Sequence, residues 1–209
     1  GLASVGIYSN YSMIMTNINS LLTRILEAFS ASVGNLGATE KEGRIHEVYR
    51  TADFLMYLIY SYIAGGLLFL YNPFIRVFFG ADYLFPMSIV LIIVANFYLN
   101  GMRQTNLIFR EAMGLFWYDR YKSIAEGIVN LIVSVLLVKR FEVAGIFLGT
   151  IVSTLTTSFW VEPYVLMRYG MKKDWKRKLR DYFVRYVGRT AIAMAVILIS
   201  IKICGKIPD

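Results

Sequence analysis

The run Phe54-Leu55-Met56-Tyr57-Leu58-Ile59-Tyr60-Ser61-Tyr62-Ile63-Ala64-Gly65-Gly66-Leu67-Leu68-Phe69-Leu70-Tyr71 holds eighteen residues without a charge. A helix rises about 1.5 Å per residue, so this run covers most of a hydrocarbon core roughly 30 Å thick. Its apolar residues are continuous and do not alternate, which excludes the strand pattern of a membrane barrel. The stretch reads as a transmembrane helix.

Five further segments extend that reading: 8–35, 83–109, 121–138, 143–166 and 186–204. The third span (83–109) is uncharged as far as Met102, the fourth (121–138) contains Glu126, and the fifth (143–166) is uncharged until Glu162. The fold class is all-α, a polytopic membrane bundle of about six helices forming a single domain over residues 1–209. Composition agrees: 57% of the chain is hydrophobic and 17% charged, against roughly 25% charged in soluble domains. The mean hydropathy is +0.54. No basic n-region precedes the first apolar run, so Gly1 reads as a cut end and the chain as a piece of something longer.

The net charge of +8 sits between the apolar runs and makes no patch on a polar domain, so nucleic-acid binding is set aside. The charges instead fix an orientation. Loops 36–51, 110–122 and 168–185 carry fourteen Lys and Arg, and the alternate set 72–84, 139–142 and 202–209 carries five. Positive loops stay in the cytoplasm, which predicts a multi-pass protein with both ends of the chain outside. Within the last basic loop, Trp175, Leu179, Tyr182, Phe183 and Tyr186 recur at helical spacing. This predicts an interfacial helix over about 172–185, drawn to anionic lipid; the alternative is a solvated loop.

Polar residues inside the spans point to function. Asn10, Asn17 and Arg24 are seven apart, so they share one helix face, with Glu27 in reach of Arg24. Asn96 and Arg103 repeat that step, flanked by Asn100, and Glu126, Asn130 and Ser134 make a third stripe. An ionised group at a span centre costs roughly 2.5–3.5 kcal/mol. Turning the three stripes toward one another, around a wet cavity, avoids that cost. Asn10, Asn17, Arg24, Asn96, Asn100, Arg103 and Asn130 are then candidate cavity residues, with Glu27 and Glu126 for ion coupling or charge balance. The alternative is that the same residues pair as glue between helices. Gly145, Gly149 and Ser153 share a face that lets a neighbouring helix come close, and Pro163 predicts a kink or an end.

Other chemistries lack their residues. One cysteine (Cys204) and one histidine (His46) give no disulfide, no metal site and no nucleophile–base pair, and no glycine-rich turn with a lysine offers a phosphate loop. No cofactor and no enzymatic chemistry are expected.

Several short motifs resemble a known family. They are Val5-Gly6-Ile7-Tyr8-Ser9-Asn10-Tyr11, Ala31-Ser32-Val33-Gly34-Asn35-Leu36, Asn72-Pro73-Phe74-Ile75, Arg110-Glu111-Ala112-Met113-Gly114-Leu115 with Asp119-Arg120-Tyr121, Asn130 with Ser134, and Leu148-Gly149-Thr150-Ile151-Val152-Ser153. Their order and spacing over residues 5–170 resemble the second half of polysaccharide transporters of the multidrug, oligosaccharidyl-lipid and polysaccharide exporter superfamily. The resemblance implies two six-helix lobes about a central cavity, with these spans as the eighth to thirteenth of about fourteen. It implies a bacterial cytoplasmic-membrane flippase moving a polyprenyl-diphosphate-linked oligosaccharide outward for cell-surface polysaccharide synthesis, working beside other assembly proteins. Arg24 and Arg103 would attract diphosphate or acidic sugar, and the asparagines would bind hydroxyls. Two positions depart from the family: Phe78-Phe79-Gly80, where a tryptophan often precedes the glycine, and Glu142, where a glycine is common. The alternatives are a drug antiporter of the same superfamily and a membrane glycan polymerase or ligase.

Overall fold

The computed structural model describes the backbone of residues 2–39 and 42–204 and the side chains of 6–26 and 43–203. Those residues are almost wholly helical, with no strand among them. The order is α1 (Leu2–Thr39), α2 (Glu42–Phe78), α3 (Met87–Ala112), α4 (Lys122–Phe141), α5 (Val143–Thr156), α6 (Ser158–Val165) and α7 (Trp175–Cys204). Short 3-10 turns at Ala81–Tyr83 and Leu115–Asp119 precede α3 and α4, and a π-turn at Leu166–Gly170 follows α6.

Three helical stretches are long and apolar enough to cross a membrane: Gly43–Phe78, Val143–Gly170 and Trp175–Ile203. The other rods break their apolar runs with Asn17, Asn19 and Arg24 in α1, with Asn96, Asn100 and Arg103 in α3, and with Glu126, Lys139 and Arg140 in α4.

Local chemistry sets the ends. Pro86, with φ of −53°, opens α3, and Gly114, with φ of +65°, follows its end in the left-handed conformation that glycine takes without a Cβ clash. A single residue, Glu142, joins α4 to α5 at φ of +49° and ψ of −126°. The helix runs through Pro163; its interruption lies earlier, at Thr157, whose hydroxyl donates to Ser153 O at 2.6 Å. Residues 175–185 are not a separate surface helix. They are the first three turns of α7, which continues unbroken to Cys204.

α3 is the centre of the bundle, packed by α1, α2, α5 and α6. Val90, Ile93, Val94, Phe97, Met102 and Phe109 are its buried apolar side. Tyr60 of α2 lies flat on Gly101, where a Cβ would sit 2.0 Å from its ring. α4 leans chiefly on α5. A Cβ at Gly145 would stand 2.5 Å from the Leu137 carbonyl carbon, and one at Gly149 3.0 Å from Ser134 Cα. The small-residue face thus acts in packing: it seats α5 against α4.

Polar knots close both ends of the core. Near the start of α1, Tyr11 donates its hydroxyl to Asn72 Oδ1 at 2.6 Å and accepts from Phe85 N at 3.0 Å, while Tyr71 donates to Tyr11 O at 2.7 Å. At the opposite end Tyr49 donates to Asn106 Oδ1 at 2.7 Å, and Asn106 Nδ2 donates to the Tyr182 hydroxyl at 3.0 Å. Buried amides and phenols satisfied this way hold helices in register without leaving an orphan donor.

Candidate functional site

Arg103 lies where an unpaired cation would be costly, and four helices answer it. It is 9% exposed. Its Nε and Nη2 donate to Glu162 Oε2 at 3.0 Å and Oε1 at 2.6 Å, a bidentate fork, and Nη1 donates to Glu126 Oε1 at 3.2 Å and Asn100 Oδ1 at 3.3 Å. Lys122 Nζ reaches Glu162 Oε1 at 2.5 Å. Glu126 also accepts from the Ser158 hydroxyl at 2.5 Å and the Thr154 hydroxyl at 3.1 Å. Two cations and two carboxylates therefore close a neutral network across α3, α4, α5 and α6. Paired and hydrogen-bonded charges are the form in which ions survive burial.

The consequence for Arg103 is chemical. Its donors are engaged by protein, so it is not poised to attract a diphosphate; it fixes helices and orients Asn100. Glu126 is held as the balancing anion. Glu162, where the uncharged part of the fifth span ends, is 1% exposed and forms the heart of the network. Lys122, counted with a loop, is buried beside it. A signal for each existed: Thr154, Ser158 and Glu162 step by four along the fifth span, and Lys122 lies four residues before Glu126.

Beside the network lies a cleft of about 380 Å³ between α1, α3 and α5. Its polar lining is uncharged: Ser12, Thr16, Asn19, Asn96, Asn100 and Thr150. Tyr8, Phe97 and Phe147 supply aromatic walls, with Tyr8 and Phe147 ring centroids 5.3 Å apart. Asn96 Nδ2 donates to Ile92 O at 3.1 Å and Phe147 O at 3.0 Å, which clamps α3 to α5. Asn100 has spent its carbonyl on Arg103, so its amide N–H groups remain as donors.

The other predicted cavity residues separate from this cleft. Asn130 bonds Thr150 Oγ1 at 3.1 Å and Ser153 Oγ at 3.3 Å, tying α4 to α5. Asn17 and Arg24 are exposed, Asn10 is half-buried, and none lines the cleft. At 100° per residue their row lies on the side of α1 away from Ser12, Thr16 and Asn19. Asn17 Nδ2 turns back onto Met13 O at 2.8 Å. The Glu27 side chain lies outside the described residues. Further ion pairs stand apart, among them Arg110 with Asp119, and Arg189 Nη1 with Asp53 at 2.5 Å. Among the described residues no group of His, Cys, Asp and Glu could hold a metal ion.

No family model, curated protein or solved structure matches this chain.

Proposed function

We propose that this chain is one lobe of a membrane exporter that flips a lipid-linked oligosaccharide from the inner to the outer leaflet, with the 380 Å³ cleft as part of the glycan path. All six helical rods then cross the membrane, with the basic end in the cytoplasm, as the loop charges favour. The observation that carries the reading is the lining of the cleft. Amides and hydroxyls beside aromatic walls suit a neutral, hydroxyl-rich solute, because each buried hydroxyl must find a partner. A cationic drug would want an acid facing the cleft, and both nearby carboxylates are already engaged by Arg103 and Lys122.

Arg103, Glu126, Glu162 and Lys122 hold the helices that shape the path and do not themselves bind substrate. No covalent step is involved. The diphosphate is bound outside this cleft, because none of the cleft residues is cationic.

The test is made in cells. The gene is deleted, and lipid-linked oligosaccharide on the inner leaflet is quantified after complementation. The wild-type gene clears the accumulated intermediate. A Thr16→Val/Asn19→Leu variant, which removes two exposed cleft groups, leaves it accumulated at normal protein level. Clearance by that variant at the wild-type rate, or no accumulation on deletion, removes the proposal.

A further inference from the structure

In α4, charge and exposure point in opposite directions. The helix holds Lys122, Glu126, Lys139 and Arg140 in twenty residues, and it is not among the three stretches that qualify as spans by composition. Yet its first two charges are turned inward. Lys122 reaches Glu162, and Glu126 accepts from Arg103, Thr154 and Ser158. Asn130 and Ser134 continue that row at steps of four and bond Thr150, Ser153 and Ile146 O. The remaining charges, Lys139 and Arg140, stand in the last turn.

The opposite face of α4 is apolar and open. Ile124, Ile128, Leu131, Ile132, Val135 and Leu136 are all exposed. At 100° per residue they fall in one arc, away from the polar row. A water-facing helix has the reverse arrangement, polar outside and apolar inside. A contiguous apolar face of this kind marks contact with a partner or a membrane. Its side chains are bulky aliphatics, whereas helices that pack on one another in lipid present small residues. α4 does so on its inner side, where Gly145 and Gly149 of α5 approach it.

The two ends of the arc carry the chemistry of a membrane boundary. Before it, the Arg120 guanidinium lies 3.8 Å from the Trp117 ring centroid and 4.7 Å from that of Tyr121, and both rings are exposed. After it come Lys139 and Arg140, with Arg140 5.7 Å from the centroid of the exposed Phe141. Aromatic rings and snorkelling cations are the side chains that settle at headgroup depth. From Tyr121 to Lys139 is eighteen residues, about 27 Å at the helical rise, against a hydrocarbon core of roughly 30 Å.

We propose that the outer face of α4 is a lipid-contact surface, touching acyl chains over its whole length and fixed in depth by Trp117, Arg120 and Tyr121 at one headgroup layer and by Lys139, Arg140 and Phe141 at the other. Charge complementarity selects lipid as the occupant: the cations stand only where phosphates lie, and the arc between them is neutral. The inference rests on the crossing pattern given above and not on the cargo.

The test uses the purified full-length protein, freed of other cysteines and reconstituted in vesicles of phosphatidylethanolamine and phosphatidylglycerol. Single cysteines at Tyr121, Leu131, Val135 and Phe141, all exposed positions, carry a nitroxide label. Collisions with oxygen, which concentrates in the hydrocarbon, are compared with collisions with a water-soluble nickel chelate. A ratio of oxygen to chelate that peaks at Leu131 and Val135 and falls at Tyr121 and Phe141 supports the proposal. It does so even where the protein fails to flip a glycan lipid, an outcome that removes only the cargo reading. Labels at Leu131 and Val135 shielded from both reagents mean that protein covers the arc and overturn the proposal, with spectral broadening between labels marking a second copy. High chelate collision along the whole arc places α4 in water and overturns it as well.

Discussion

Arg103 and its three charged partners behave as one unit, and the chemistry predicts how they fail. Removing Glu162 leaves two buried cations without their shared anion. Breaking a buried pair by deleting one partner costs about 3–5 kcal/mol, so Glu162→Gln should sharply lower the melting temperature and the yield of folded protein. Lys122→Met and Glu126→Gln each leave one uncompensated charge, whereas the double variant restores neutrality. A thermal-denaturation double-mutant cycle should therefore show the pair losing less than the two single losses combined, with a coupling of about 1–3 kcal/mol. Additive losses mean that the charges do not sense one another. The polar stripes were legible from sequence, because a charge inside an apolar run is conspicuous. Which stripe meets which was not. Asn17 and Arg24 looked equivalent to Asn96 and Arg103 by spacing, yet α1 is rotated so that Thr16 and Asn19 face α3 instead. Rotation about a helix axis is set by packing across all its neighbours, which no single helix encodes.

At the scale of the element, the join between α4 and α5 carries a stored strain. Glu142 adopts φ of +49° and ψ of −126°, a region that glycine occupies freely and other residues enter at about 1–3 kcal/mol. Glu142→Gly should raise stability by about that amount, as seen in a melting curve of purified protein; no gain means the turn relaxes around the glutamate. The neighbouring contact makes the opposite prediction. Gly145→Val forces α5 away from the Leu137 backbone, which cannot yield as a side chain does, and should cost about 1–3 kcal/mol or more. The Gly145–Gly149–Ser153 face was legible as a packing surface from spacing alone. The interruption at Thr157 was not: Pro163 drew the expected kink, but the helix passes through it, and the break lies upstream, at Thr157.

For the whole molecule, the apolar runs of the sequence already dictate a helical bundle. The fifth apolar segment is divided between α5 and α6, the others lie mainly on one helix each, and three helical stretches qualify by length and apolarity as membrane spans. The basic loops gather at one end, where α2, α3 and α7 are joined through Tyr49, Asn106 and Tyr182. In a Cys204→Ser background, single cysteines at Lys173 and Asp82 should label from opposite sides of the membrane, with Lys173 reached only from the cytoplasm. Labelling of both from one side excludes the proposed crossing pattern. The function itself turns on the uncharged cleft. The most direct measurement is flipping by the purified full-length protein reconstituted in vesicles, read as protection of a lipid-linked oligosaccharide from a membrane-impermeant glycan-modifying reagent. Wild-type protein should move the lipid across, Thr16→Val/Asn19→Leu should slow it about tenfold as two hydrogen-bonding partners are lost, and Arg180→Gln should match wild type. A vesicle population that leaves the oligosaccharide in place while exporting a cationic dye, or equal rates for the cleft variant and wild type, contradicts the glycan path.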